Sequence, residues 1–333
     1  MGGYMIKPTG VVITILILLL VGCEEPIQYE VEQLSNHRFS QHLVYKAQFS
    51  DDLEQLLVID EKRLVNIWQI NSKQKIFTLP PSKTPEDLRA TFFKKSENLL
   101  LLSGANHVDF WDLEHSAQIG TLKVQSDEPL AKISSINLSR YGGIIAVGMT
   151  DGTVFLYNKA SKSSIKKKIH EGTVNYIYFN SADSYVVTSG TDGKVVKSSV
   201  NNLEKRYSKQ LNTRISSLII DEQSNKLFVS DVLDNQQIHK LDNGELLSKL
   251  SYTARFRWFR SGQFYNGARI LITTTPKTDI SLWDTYSGKE IFTWHSETLS
   301  LGSTNLDIKA LDNKIVTTTS EGVYQEWALI KNN

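Results

Sequence analysis

Val65-Asn66-Ile67-Trp68 returns along the chain as Val108-Asp109-Phe110-Trp111, Val154-Phe155-Leu156-Tyr157 and Ile280-Ser281-Leu282-Trp283. Weaker copies stand at Val195-Val196-Lys197-Ser198, Ile238-His239-Lys240-Leu241 and Tyr324-Gln325-Glu326-Trp327. Successive copies lie 43, 46, 41, 43, 42 and 44 residues apart, and four of the six tryptophans close one of them. A short β-rich run bounded by turn residues reads as a strand. Its return at a near-constant period reads as a stack of identical supersecondary units.

The rest of the unit repeats as well. Upstream lies an apolar triplet spaced i, i+3, i+5: Val44/Ala47/Phe49, Ile133/Ile136/Leu138, Val174/Ile177/Phe179 and Ile215/Leu218/Ile220. Seven residues after the triplet a second strand opens, as at Leu56, Ile145, Val186 and Leu227. A fourth strand follows the aromatic one at Lys75–Leu79, Gln118–Leu122, Ile165–Ile169, Glu245–Leu250 and Glu290–Trp294. Each unit is therefore four antiparallel strands. One such sheet cannot cover both of its faces, whereas seven set radially bury each face against a neighbour. The expected fold is all-β: a seven-bladed β-propeller of four-stranded antiparallel blades.

The units resemble WD40 repeats. The likeness is carried by Ser189-Gly190-Thr191-Asp192-Gly193-Lys194-Val195, by Met149-Thr150-Asp151-Gly152-Thr153-Val154, and by the pairs Trp111-Asp112 and Trp283-Asp284. It covers residues 27–333. The last unit stops short of a fourth strand, and Ile27–Leu34 reads as that strand, closing the ring from the N-terminal side. The resemblance implies a His–Ser/Thr–Asp–Trp network in each blade, with the Asp six residues before the Trp. Asp151 and Asp192 fit as structural turn residues, and His170 fits the His. The other five Asp positions hold Lys62, Ala105, Asn235, Lys277 and Glu321, and Ser198 replaces the Trp of blade four. No blade has the full set, so apolar packing between sheets must carry most of the stability.

The lone cysteine, Cys23, ends the apolar run Val11–Gly22. Twelve residues are too few to span a bilayer and suit the core of a secretory signal, with Lys7 as its flanking charge. Leu20-Val21-Gly22-Cys23 resembles a bacterial lipobox. That resemblance implies cleavage before Cys23, acylation of its thiol and amino group, and firm attachment to a membrane, since two acyl chains already suffice. The expected organisation is a signal at 1–22, a lipidated linker at 23–26 and the propeller at 27–333. A start at Met5 would tighten the signal, and Glu24 in place of Asp points to the outer membrane, facing the periplasm.

Lys and Arg number 37 against 36 Asp and Glu, a net charge of +1. Loss of Lys7 with the leader brings this to zero, which argues against nucleic acid as a partner. One cysteine excludes an internal disulfide and multi-cysteine metal sites. The sequence holds no G-x-S-x-G, P-loop, H-E-x-x-H or EF-hand pattern, and its seven histidines are dispersed. No catalytic residue, metal ligand or cofactor is expected. Two patches stand out. Lys166, Lys167 and Lys168 lie in a stretch, 153–214, with 11 Lys or Arg against 4 Asp or Glu. They read either as an outer strand guarded by charge or as a contact for an anionic partner. Arg255, Arg257, Trp258 and Arg260 precede blade six, in an Arg-aromatic composition common to interface anchors and to strand residues packed between blades. The expected function is a monomeric, non-catalytic, lipid-anchored envelope scaffold for protein partners. The alternative is an enzyme or small-ligand binder using the central channel.

Overall fold

A computed structural model describes residues 28–252 and 257–332. Cys23, the rest of the leader and Arg255 lie outside them. The described residues form seven four-stranded antiparallel sheets, and blades one to six pair each strand with its neighbours in sequence. Blade one runs Val44–Phe49, Gln55–Asp60, Val65–Gln69 and Gln74–Leu79. Blade four runs Val174–Phe179, Tyr185–Gly190, Lys194–Ser199 and Lys205–Gln210. Blade seven takes three strands from Asn305–Leu311, Lys314–Thr319 and Val323–Asn332, and its fourth from Gln28–Arg38. Tyr29 sits opposite Lys331 and Arg38 opposite Val323, so the ring is closed by the N-terminal strand. Closure leaves no blade face open at the ends of the array.

The core lies between blades rather than inside any one of them. Leu57, Ile67 and Phe77 of blade one pack with Leu100, Leu102 and Trp111 of blade two. Ile280 and Leu282 of blade six pack with Ile308, Ile315 and Trp327 of blade seven. The i, i+3, i+5 triplet has a mechanical cause. In blades one, three, four, five and seven the register slips by one residue near the start of the inner strand, as between Val44 and Lys46. That bulge inserts a residue and restores the first apolar side chain to the buried face. Blades two and six pair without the slip, so the triplet is missing there.

A belt of polar contacts ties the inner strands together. The residue just before the last core residue of each inner strand is Gln48, Phe92, Asn137, Tyr178, Ile219, Gln263 or Lys309. Gln48 exchanges two hydrogen bonds with the Phe93 backbone of blade two, and Gln263 does the same with Ala310 of blade seven. Asn137 donates to Ile177 O at 2.6 Å, the Tyr178 hydroxyl to Glu222 at 3.3 Å, and Lys309 to Asp51 at 2.9 Å. Phe92 and Ile219 leave two joints without this clasp.

Candidate functional site at the joint of blades three and four

The end of the third strand is the position that seals each blade against the preceding one. Strand register fixes its occupant: Trp68 opposite Leu56, Trp111 opposite Leu100, Tyr157 opposite Ile145, Ser198 opposite Val186, Trp283 opposite Leu271 and Trp327 opposite Ile315. In blade five, His239 stands opposite Leu227. This corrects the sequence alignment of that repeat, which ended it on Leu241. Six blades thus carry a ring at the sealing position, and blade four carries a hydroxymethyl.

Ser198 faces blade three. Its neighbour Lys197 points the other way, donating to Leu241 O of blade five at 3.1 Å above the Tyr185 ring, and successive strand residues alternate sides. Where the ring is missing, a depression of about 330 Å³ opens between the outer strand of blade three and blade four. Its floor is Val196, Ser198 and Leu203, all buried, with Ile169 beside them. Its walls are Lys167, Lys168, Lys194, Lys205 and Ser208, and no carboxylate lines it. The Ser198 hydroxyl is fully buried and, among the described residues, has no hydrogen-bond partner. A second depression of about 170 Å³ lies along the same joint, between Ser163, Ser164 and Ile165 of the outer strand and Val200 and Asn201 of blade four.

Of the expected basic patch, Lys167 and Lys168 line the larger depression, while Lys166 pairs with Asp127 at 2.5 Å. Among the described residues, Lys167, Lys194 and Lys205 make no ion pair, and Lys168 has only Glu171 at 3.8 Å. Sequence inspection picked out the charge and the missing Trp separately. Lys205 belonged to that basic stretch, but Lys194 and Ser208 were not brought in, because their convergence depends on how two blades meet.

One rim of this joint is rigid. His170 is fully buried, with Nδ1 3.1 Å from Asp192 and Nε2 2.9 Å from the Thr188 hydroxyl. Burial lowers the imidazole pKa, only partly offset by Asp192, so the ring is neutral, donating to Asp192 and accepting from Thr188. Burial pushes the Asp192 carboxyl up, but hydrogen bonds from the Glu171 and Lys194 amides and from His170 outweigh it and hold the group below its usual value. Asp151 caps the equivalent turn of blade three, accepting from Thr153 N at 3.1 Å and from the Ser126 hydroxyl at 2.5 Å. The glycine after each Asp is obligatory. Gly152 and Gly193 have φ of +92° and +76°, and a side chain at Gly152 would run into the His170 carbonyl. Other blades use a different device that the sequence pattern concealed. Asp60, Asp231, Thr275 and Thr319, eight residues before the sealing position, accept from turn amides instead.

The Arg-aromatic segment is divided by the fold. Phe259 is core, edge-on to Trp283 at 5.6 Å. Arg257 turns inward, forking onto Glu290 at 2.9 and 2.6 Å and lying 5.0 Å from the Trp283 ring. Trp258 is half-buried and Arg260 is exposed, 3.4 Å from the Thr304 hydroxyl. On the inner strand of blade seven, burial raises the Asp307 carboxyl to about 6. Its two oxygens accept from Phe49 N and Ile308 N, both at 2.9 Å, so it ties blade seven to blade one. Among the described residues no three His, Cys, Asp or Glu converge to hold a metal ion, and no helix is long and apolar enough to cross a membrane.

Comparison with known proteins agrees with this architecture. No family model matches the chain. Apoptotic protease-activating factor 1 of Danio rerio is 23% identical over 153 residues, 46% of this chain, and the match spans only 12% of that protein. The solved structure of the computationally designed Ika8 protein superposes with a TM-score of 0.66 at 16% identity, covering 86% of this chain and 83% of that one. The chain is a seven-bladed β-propeller with WD-repeat-like features.

Proposed function

We propose that this protein is a non-catalytic scaffold for protein partners, held at the cell envelope by acyl groups on Cys23. The observation that carries the scaffold reading is the lysine-walled joint of blades three and four, set in a ring whose other joints are sealed by rings of their own residues. A closed frame with one recessed, lysine-walled joint suits display and docking. The anchor rests on Leu20-Val21-Gly22-Cys23 after a short apolar run.

Two measurements test this. Metabolic labelling with radioactive palmitate should mark the wild-type chain and not Cys23→Ser; label retained on the variant overturns the anchor. A photo-crosslinking residue placed at Lys205 should give a discrete protein adduct in living cells, and one placed at exposed Tyr286 on blade six should give none. No adduct at Lys205, nor from probes on the other blade rims, overturns the scaffold.

A further inference from the structure

Indole or phenol rings at Trp68, Trp111, Tyr157, Trp283 and Trp327, and the His239 imidazole, close six joints of the ring. At the seventh the position holds Ser198, and the smaller aliphatic side chains of Val200 and Leu203 pack against blade three beneath a depression of about 330 Å³. We propose that this joint binds an extended acidic segment of a partner protein, which seats one large aromatic side chain in the slot that the chain's own tryptophan fills elsewhere.

Four observations choose this occupant. The slot lies where an indole packs in blades six and seven, and an aromatic side chain gains more from burial than any other residue type. Its walls are four lysines with no lining carboxylate, so the segment must bring negative charge. The second depression lies by Ser163 and Ser164, about four residues along the same outer strand from Lys167 and Lys168. At about 3.3 Å per residue that is roughly 13 Å, a span matched by side chains four apart on an extended peptide and too long for one small ligand. Finally, Ser163–Lys168 is the edge of its sheet, with one side of its backbone free to pair with an added strand. The inference rests on the scaffold reading and specifies its partner.

The test uses the full chain in detergent and a fluorescent decapeptide with a leucine and a tryptophan four residues apart, flanked by glutamates. Fluorescence anisotropy should show saturable binding that weakens as salt rises. Ser198→Trp fills the slot from within; it should leave the melting temperature unchanged or higher while weakening the peptide by about tenfold or more. Lys167→Glu with Lys205→Glu should weaken it by a similar factor. Equal binding of a peptide with alanine for tryptophan, or binding unaffected by Ser198→Trp, overturns the proposal. Free indole-3-acetate binding as tightly as the peptide reassigns the slot to a small anion. Binding to phosphatidylglycerol vesicles but not to the peptide reassigns the lysines to a membrane surface. Partners crosslinked at Lys205 that persist in Ser198→Trp overturn the slot alone and leave the scaffold reading standing.

Discussion

In blade six the sealing position holds Trp283, fully buried, its indole N–H donating to the Thr273 hydroxyl at 2.8 Å. Tyr252 and Phe259 meet it edge-on and Arg257 lies over it. Blade four has the equivalent threonine, Thr188, but serine where the tryptophan belongs. There the threonine hydroxyl turns to His170, which passes the interaction on to Asp192. Blade six holds its turn without that pair, through Thr275. The two halves of the repeat's stabilising machinery are thus separable. One blade keeps the aromatic seal, the other keeps the polar network, and each stands without its counterpart. Blades one and two add a third case. Trp68 and Trp111 keep the ring, but Val58 and Leu102 stand where the threonine would be, and among the described residues both indole N–H groups have no partner.

The sharpest way to break the comparison is to make blade six like blade four. Trp283→Ser removes a fully buried ring and three aromatic or cationic neighbours at once. A cost of about 3–5 kcal/mol is expected, measured as the shift in the urea midpoint. A loss below about 1 kcal/mol would mean that sealing rings are dispensable in this propeller, and the open joint at Ser198 would lose its significance.

The second test separates the polar network from the seal through pH. A neutral buried His170 has its pKa below the unfolded value, so the unfolded chain takes up a proton first. Blade four therefore keeps the full contribution above about pH 6.5 and loses it as pH falls toward the folded pKa. Hydrogen exchange between pH 7.5 and 5.5, corrected for intrinsic rates, should show protection falling across Tyr185–Gly190 and Lys194–Ser199, by no more than about 1.4 kcal/mol for one histidine. Protection across Ile270–Thr274 in blade six should hold. His170→Gln should abolish the difference between the blades. Parallel loss in both would place the acid sensitivity outside the His170–Asp192 pair.

What could be read in the sequence follows from which contacts are periodic. Blade number, strand order and the closing strand, expected over Ile27–Leu34 and found at Gln28–Arg38, follow from side chains that recur at one register. So does the apolar triplet, whose cause, an inner-strand bulge that shifts the spacing from two to three, shows only in the strand register. The belt of Gln48, Asn137, Tyr178, Gln263 and Lys309 was invisible, since one position is filled by four residue types that share only the reach to the next blade. Blade five was misaligned because His239 is a poor marker beside the apolar Leu241. The slot itself showed only as a departure from pattern. An absent tryptophan becomes a cavity only if the facing strand fails to fill it, and Ser163–Lys168 ends in lysines that reach for solvent instead.

The smallest expected effect concerns the serine itself. The Ser198 hydroxyl is sealed from solvent without a partner, and an unsatisfied buried hydroxyl carries a desolvation cost of about 1 kcal/mol or more. Ser198→Ala removes that cost while adding no volume to the slot. The variant should gain up to about 1 kcal/mol in stability, read from the urea midpoint at constant slope, and should bind the acidic aromatic peptide as the wild type does. Ser198→Trp should match or exceed that stability while losing the peptide. A stable Ser198→Ala that also loses the peptide would show that the joint opens on binding and brings the hydroxyl against the ligand. The orphaned oxygen would then be a recognition group, and the difference between blades four and six would be one of function before it is one of packing.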